Sequence, residues 1–208
     1  MKSFIPENTI ERKALELLVS YSRNYDWDFT FPVPVELIIE AELAYENNVR
    51  DLGDPMILGA ISPLEKSIYT NEKSEESFQK CPGLYRFTLA HEVGHWALHL
   101  NGIDEQLKIS EDFPYPFICR DSASKPPIEK QADTFAAALL MPTDLVKNAV
   151  NARNILNWSA LYELRSEWGV SISALKIRLE KLGLIYYCSE SKKFFKTKAQ
   201  SIGQQNLF

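Results

Sequence analysis

All three histidines of the 208-residue chain fall within TLAHEVGHWALH, residues 88–99. His91 and His95 stand four apart. On an α-helix that spacing sets two side chains about 40° and about 6 Å from each other, so both imidazoles can face one divalent ion. Glu92 is turned about 100° from His91, away from the ligand face, where its carboxylate can act on a water beside the ion. HEVGH is thus an H-E-x-x-H match with the parts of metal-assisted hydrolysis: two ligands and a general base.

A hydrolytic zinc site normally takes a third protein ligand and leaves the fourth position open. His99 lies about 80° around and about 12 Å along a straight helix from His91, too far to share its ion. The glycine break of H-E-x-x-H-x-x-G-x-x-H, which folds a third histidine back, is absent. His99 is therefore expected to be structural or to line the pocket. The other candidate is Glu129, 34 positions after His95 (129 − 95), in EKQADTFAAALL. Asp133, four residues on, shares its face and is placed to accept the free ring N–H of a ligand histidine, fixing its tautomer.

These residues need elements to hold them. Ile10, Ala14, Leu17, Leu18 and Tyr21 recur at helical spacing behind a possible cap at Asn8 or Thr9. A second helix is expected from about Val35 to Leu43, its start set by Pro32 and Pro34. ILGAIS and KSIYTNE flank PLE and predict a β-hairpin around Pro63. The active stretch reads as a helix from Tyr85 to about Leu100, ended near Gly102. Residues 103–127 carry four prolines and read as a long irregular connection, of a length that usually serves a site. IEKQADTFAAALLMP predicts a strong helix stopped by Pro142. WSALYELRSEWGVSISALKIRLEKLGLIYY predicts two helices about a turn at Gly169, then a strand. From Ser191 the chain has four lysines and no acid and reads as a flexible tail.

The quoted stretches carry a resemblance. RFTLAHEVGHWALH (86–99) and EKQADTFAAALLMP (129–142) are similar to the paired signatures of the ImmA/IrrE metallo-endopeptidases, over roughly residues 10–145. The resemblance implies an α+β, thermolysin-like zincin fold (gluzincin type), with His91, His95 and Glu129 as ligands and Glu92 as catalytic base. Gln131 stands where many relatives carry a second glutamate, which leaves the ligand role to Glu129. The implied cofactor is Zn2+, with Mn2+ or iron also accepted by such a donor set. The implied organisation is a peptidase domain over 1–146, a helix-turn-helix-like segment over 147–190 and the tail over 191–208. The implied substrate is a helix-turn-helix transcriptional repressor, cut to derepress phage, mobile-element or stress genes.

Oxyanion stabilisation has three candidates by type, Arg86, Tyr115 and Arg120. SIYTNE is expected to be an edge strand that an extended substrate joins by backbone pairing, with Tyr69 in the contact. The net charge of −5 argues against a general nucleic-acid or membrane-surface role. Over 159–186 the balance is only four basic to three acidic residues, poor footing for phosphate binding by the helix pair. Cys81, Cys119 and Cys188 are far apart and form no CxxC pair, which points to reduced thiols. With no export signal and no apolar run of about 20 residues, the expected location is the cytoplasm. Two other readings stand beside the enzyme: a transcription factor with a structural metal, and an antitoxin- or toxin-like partner-binding module. An intact Glu92 favours the enzyme, since a structural metal has no use for it.

Overall fold

The computed structural model describes residues 4–100, 117–120 and 125–205. The chain runs α1 (Glu7–Tyr25), α2 (Val35–Glu42), β1 (Glu46–Arg50), β2 (Ile57–Ser62), β3 (Ser67–Asn71), α3 (Glu75–Lys80) and α4 (Pro82–His95). Beyond it come β4 (Phe117–Arg120), α5 (Pro127–Leu140), α6 (Thr143–Val150), α7 (Trp158–Trp168), α8 (Ile172–Lys181), β5 (Tyr186–Cys188), β6 (Lys193–Phe195) and α9 (Lys198–Gln205).

The α+β expectation holds. Helix α4 lies at the centre, with the sheet on one side and α5 on the other, and α1 packs on α5. Leu89, Ala90 and Val93 of α4, Phe135, Ala136 and Leu139 of α5, and Ile10, Ala14 and Leu18 of α1 are buried in one continuous core. Their recurrence every three or four residues is what selects helix for these segments. Helix α1 starts without a side-chain cap, at Pro6 rather than at Asn8 or Thr9. Proline's missing N–H costs nothing at a helix start, where that donor has no partner within the helix.

The expected hairpin forms, with Gly59 to Ser62 of β2 antiparallel to Thr70 to Ser67 of β3. Its place in the sheet differs from the expectation. The strand order is β1-β3-β2-β4, and β1 pairs parallel with β3, Asn48 lying opposite Tyr69. Strand β3 is therefore interior, and Tyr69, 4% exposed, does not lie on an edge. The substrate-edge role expected of SIYTNE and Tyr69 is corrected: among the described residues the edges are β1 and β4. Strand β4 also falls inside the stretch read as irregular. The rest of that connection, with Gly102 and Tyr115, lies outside the described residues.

The helix pair α7–α8 forms as expected, with Gly169 in the left-handed region at φ 62° ending α7. Asn157 and Ser171 cap the two helices, their side-chain oxygens accepting from the backbone N–H groups of Ala160 and Ala174. The pair is knit into the rest of the core. A Cβ on Gly83 would lie 2.2 Å from the carbonyl carbon of Val170, so only glycine lets α4 begin directly on the α7–α8 turn. Phe31 stacks on Trp168 with ring centroids 4.3 Å apart. Arg178, 1% exposed, donates to the Met141 carbonyl at 2.9 Å and to both oxygens of Glu11 in α1.

The segment from Ser191 is not a flexible tail over its described length. Lys193–Phe195 pairs with Tyr186–Cys188, and α9 follows. Phe194 and Phe195 are buried, and Phe194 meets Trp158 edge-on at 4.7 Å. Two aromatic side chains supply the burial that lysine counting hides.

Candidate metal centre

Helix α4 brings His91, Glu92 and His95 into the interior, each 0% exposed. The His91 and His95 rings stand 4.7 Å apart between centroids. Helix α5 approaches α4 closely because Gly94, inside HEVGH, has no side chain. A Cβ there would sit 3.1 Å from both Cα and O of Ala132 and 3.2 Å from Cβ of Phe135. On the sheet side Gly59 plays a similar part: its Cβ would come within 2.6 Å of Thr88 and 3.5 Å of Glu92 Oε1. The active helix is thus clamped between two glycine contacts, neither of which the histidine spacing reveals.

Across the Gly94 contact, α5 delivers the two acids. Glu129 Oε2 lies 3.0 Å from His91 Nε2, and Glu129 Oε1 3.4 Å from His95 Nε2. The two Nε2 atoms are 3.0 Å apart. Ligand atoms of His91, His95 and Glu129 all lie within 4.8 Å of one another. Asp133 Oδ1 is 2.9 Å from His91 Nδ1. His99 stays out of this cluster, as expected; the helix widens to a π-turn over Trp96–Leu100, and His99 packs beside His95.

The protonation states suit a cation. Burial dominates at His95 and pushes its pKa down to about 4, against the pull of Glu129, so the ring is neutral at pH 7. Burial works against ionised Glu129, yet hydrogen bonds and charges of His91 and His95 hold it below the ordinary carboxylate range. Asp133, likewise opposed by burial, is held low by His91 and Lys125. An ionised Asp133 only accepts, so His91 Nδ1 donates to it, which leaves Nε2 as the ring nitrogen that can bind a cation. His91 Nε2 lies 3.0 Å from a carboxylate oxygen of Glu129. Two imidazoles with one carboxylate form a donor set that suits zinc.

Two polar contacts escape sequence reading. Lys125 Nζ donates to both oxygens of Asp133, at 2.9 Å each. Gln131 Oε1 lies 3.0 Å from His99 Nε2. The first joins the segment just before α5 to α5 itself; the second depends on the approach of α5 to α4, and only the motif position of Gln131 marks it. Of the oxyanion candidates, Arg86 is taken up elsewhere, donating to both carboxylate oxygens of Glu36 at 3.0 and 3.1 Å and to the Val33 carbonyl. It braces α2 against α4. Arg120 is described only as part of β4, without its side chain.

A small sheet laid over a helix bearing H-E-x-x-H, with a carboxylate supplied from the next long helix, defines a zincin-like metallopeptidase fold. The family model for the peptidase M78, IrrE N-terminal-like domain matches residues 79–180. The chain therefore carries an ImmA/IrrE-family metallopeptidase domain. The match begins later than the resemblance over 10–145 and runs further, taking in both helices of the α7–α8 pair. No curated protein matches the chain. Among the described residues no helix is long and apolar enough to cross a membrane.

Proposed function

We propose that this protein is a zinc endopeptidase that cuts a helix-turn-helix transcriptional repressor, relieving repression of phage, mobile-element or stress genes. The observation that carries the enzymatic part is the convergence of His91 Nε2, His95 Nε2 and Glu129 on one point, with Glu92 buried on the same helix. His91, His95 and Glu129 would hold the ion; Zn2+ fits the nitrogen–oxygen donor set, and Mn2+ is the alternative. A bound divalent ion supplies polarisation of the scissile carbonyl and acidification of water.

The chain's own groups do the rest. Asp133 fixes the His91 ring, and Glu92, facing the sheet near Gly59, takes the proton of the attacking water and returns it to the leaving amine. Strand β4, not β3, is the edge an extended peptide would join: it pairs with β2 beside Gly59 and packs on α4. The repressor is assigned from the family resemblance.

The test is Glu92→Gln. The amide is nearly isosteric, so fold and ion binding should persist while cleavage of the co-expressed repressor falls by about 10² to 10⁴-fold, the usual worth of a general base. Full derepression in cells by Glu92→Gln would mean that partner binding, not proteolysis, is the working activity.

A further inference from the structure

His99 is buried, 6% exposed, and belongs neither to the ligand set nor to the apolar core. Its two ring nitrogens bridge two elements. Nδ1 lies 3.0 Å from Nδ1 of His95 in α4, and Nε2 lies 3.0 Å from Oε1 of Gln131 in α5. We propose that Gln131 and His99 form a two-step relay of hydrogen bonds that fixes the tautomer of His95, making both of them positioning residues for the ion site. The proposal rests on the reading of His95 as a ligand.

A neutral imidazole carries one N–H and one lone pair, so each bond in the chain dictates the next. The Gln131 carbonyl oxygen only accepts. His99 therefore carries its hydrogen on Nε2 and donates it to Gln131, which leaves a lone pair on His99 Nδ1. That lone pair accepts from His95 Nδ1–H across 3.0 Å. His95 Nε2 is then bare and directed at His91 Nε2, 3.0 Å away, and Glu129 Oε1, 3.4 Å away.

Histidine in water favours the opposite tautomer, with hydrogen on Nε2, and that form aims an N–H where the ion must sit. His91 avoids this by donating directly to Asp133, 2.9 Å from its Nδ1. His95 has His99 against its Nδ1 and reaches an α5 acceptor through it. One helix, α5, thus sets the tautomer of both ligands.

The weak point is the amide. Rotated by half a turn, Gln131 would present its NH2 group and donate to His99 Nε2, reversing every bond and placing a hydrogen on His95 Nε2. A carboxylate at position 131 has no such reversed state. Gln131→Glu should therefore preserve the relay, whereas Gln131→Met or His99→Phe should break it.

The experiment uses the full chain, stripped of metal, with zinc affinity read by competition against a chromogenic chelator and the His95 tautomer read from imidazole 15N shifts. His99→Phe and Gln131→Met should each weaken zinc binding by about 10-fold, the low end for a partner outside the ligand set, and shift His95 toward the Nε2–H form. Gln131→Glu should bind zinc at least as tightly as the unaltered protein and keep His95 in the Nδ1–H form. An Nε2–H His95 in the unaltered protein, or unchanged affinity and tautomer in Gln131→Met, would overturn the relay. His95→Ala separates the two levels: undiminished zinc binding by that variant overturns the ligand reading itself, whereas its loss beside unaffected relay variants overturns only the relay.

Discussion

Replacing Gly94 by alanine tests whether the distance between two helices sets the site. The added Cβ would stand 3.1 Å from Cα and O of Ala132, backbone atoms of a helix that cannot swing aside as a side chain can. Carbon atoms prefer separations of about 3.5 to 4.0 Å, so α5 must recede by a few tenths of an ångström. The His91–Asp133 contact would stretch from 2.9 Å by a similar amount. That carries it to the roughly 3.2 Å limit of a good N–H···O bond, and metal–ligand distances tolerate only about 0.2 Å. Overpacking costs about 1 to 3 kcal/mol, while alanine gains about 1 kcal/mol over glycine in helix propensity. Gly94→Ala should thus lose at most about 2 kcal/mol of metal-free stability yet at least 10-fold in zinc affinity. Denaturant unfolding and chelator competition on the same preparation measure the two effects. Unchanged zinc affinity in a folded variant would refute the argument that glycine-permitted helix approach positions Glu129 and Asp133.

Three further outcomes follow from the same geometry. Asp133→Asn should weaken zinc binding by about 10 to 100-fold without abolishing it, because it disturbs the group that orients His91 and spares the ligands; an unchanged dissociation constant would make Asp133 a surface acid only. In the metal-free protein the unfolded chain protonates His95 near pH 6.5 and the folded chain near 4, so the unfolded state binds more protons in between. Stability should therefore fall as pH drops through that window, by about 3 kcal/mol in all, and a flat urea midpoint from pH 7 to 4.5 would contradict it. Arg178→Met strips a buried guanidinium from Glu11 and Met141 and should cost about 3 kcal/mol, lowering Tm by about 10 °C. The exposed Arg153–Glu167 pair offers a control, worth at most about 1 kcal/mol.

What the sequence made legible has a common physical basis. HEVGH and EKQAD write their geometry in the helical period, so spacing alone brings His91 to His95 and Glu129 to Asp133. The hairpin about Pro63 and the α7–α8 turn at Gly169 are local events with local signals. Strand β1, ENNVR, has no apolar alternation, because both of its faces stay largely outside the core, and its pairing with β3 is parallel and distant in sequence. Chain order also says nothing of lateral order, which is why β3 was expected at an edge that β1 in fact covers. Gln131 meets His99 only once α5 lies against Gly94, and Lys125 meets Asp133 only through the bend of the chain into α5. No period in the sequence encodes those approaches.

The α7–α8 pair has a structural task that its outline does not show. In a helix-turn-helix that reads DNA, the second helix lies in the major groove with its first residues at the bases. Here the turn before α8 lies against Gly83 at the start of α4, closer than any Cβ would allow. Leu175, Arg178 and Leu179 of α8 are buried, and the guanidinium of Arg178, the kind of group that serves phosphate elsewhere, is spent on Glu11 and the Met141 carbonyl. The pair therefore works as a buttress. It holds the first turn of the helix that carries His91, Glu92 and His95, and through Arg178 it ties α1 to the end of α5. The family match points the same way, since it runs through α7 and almost to the end of α8 as part of the peptidase domain.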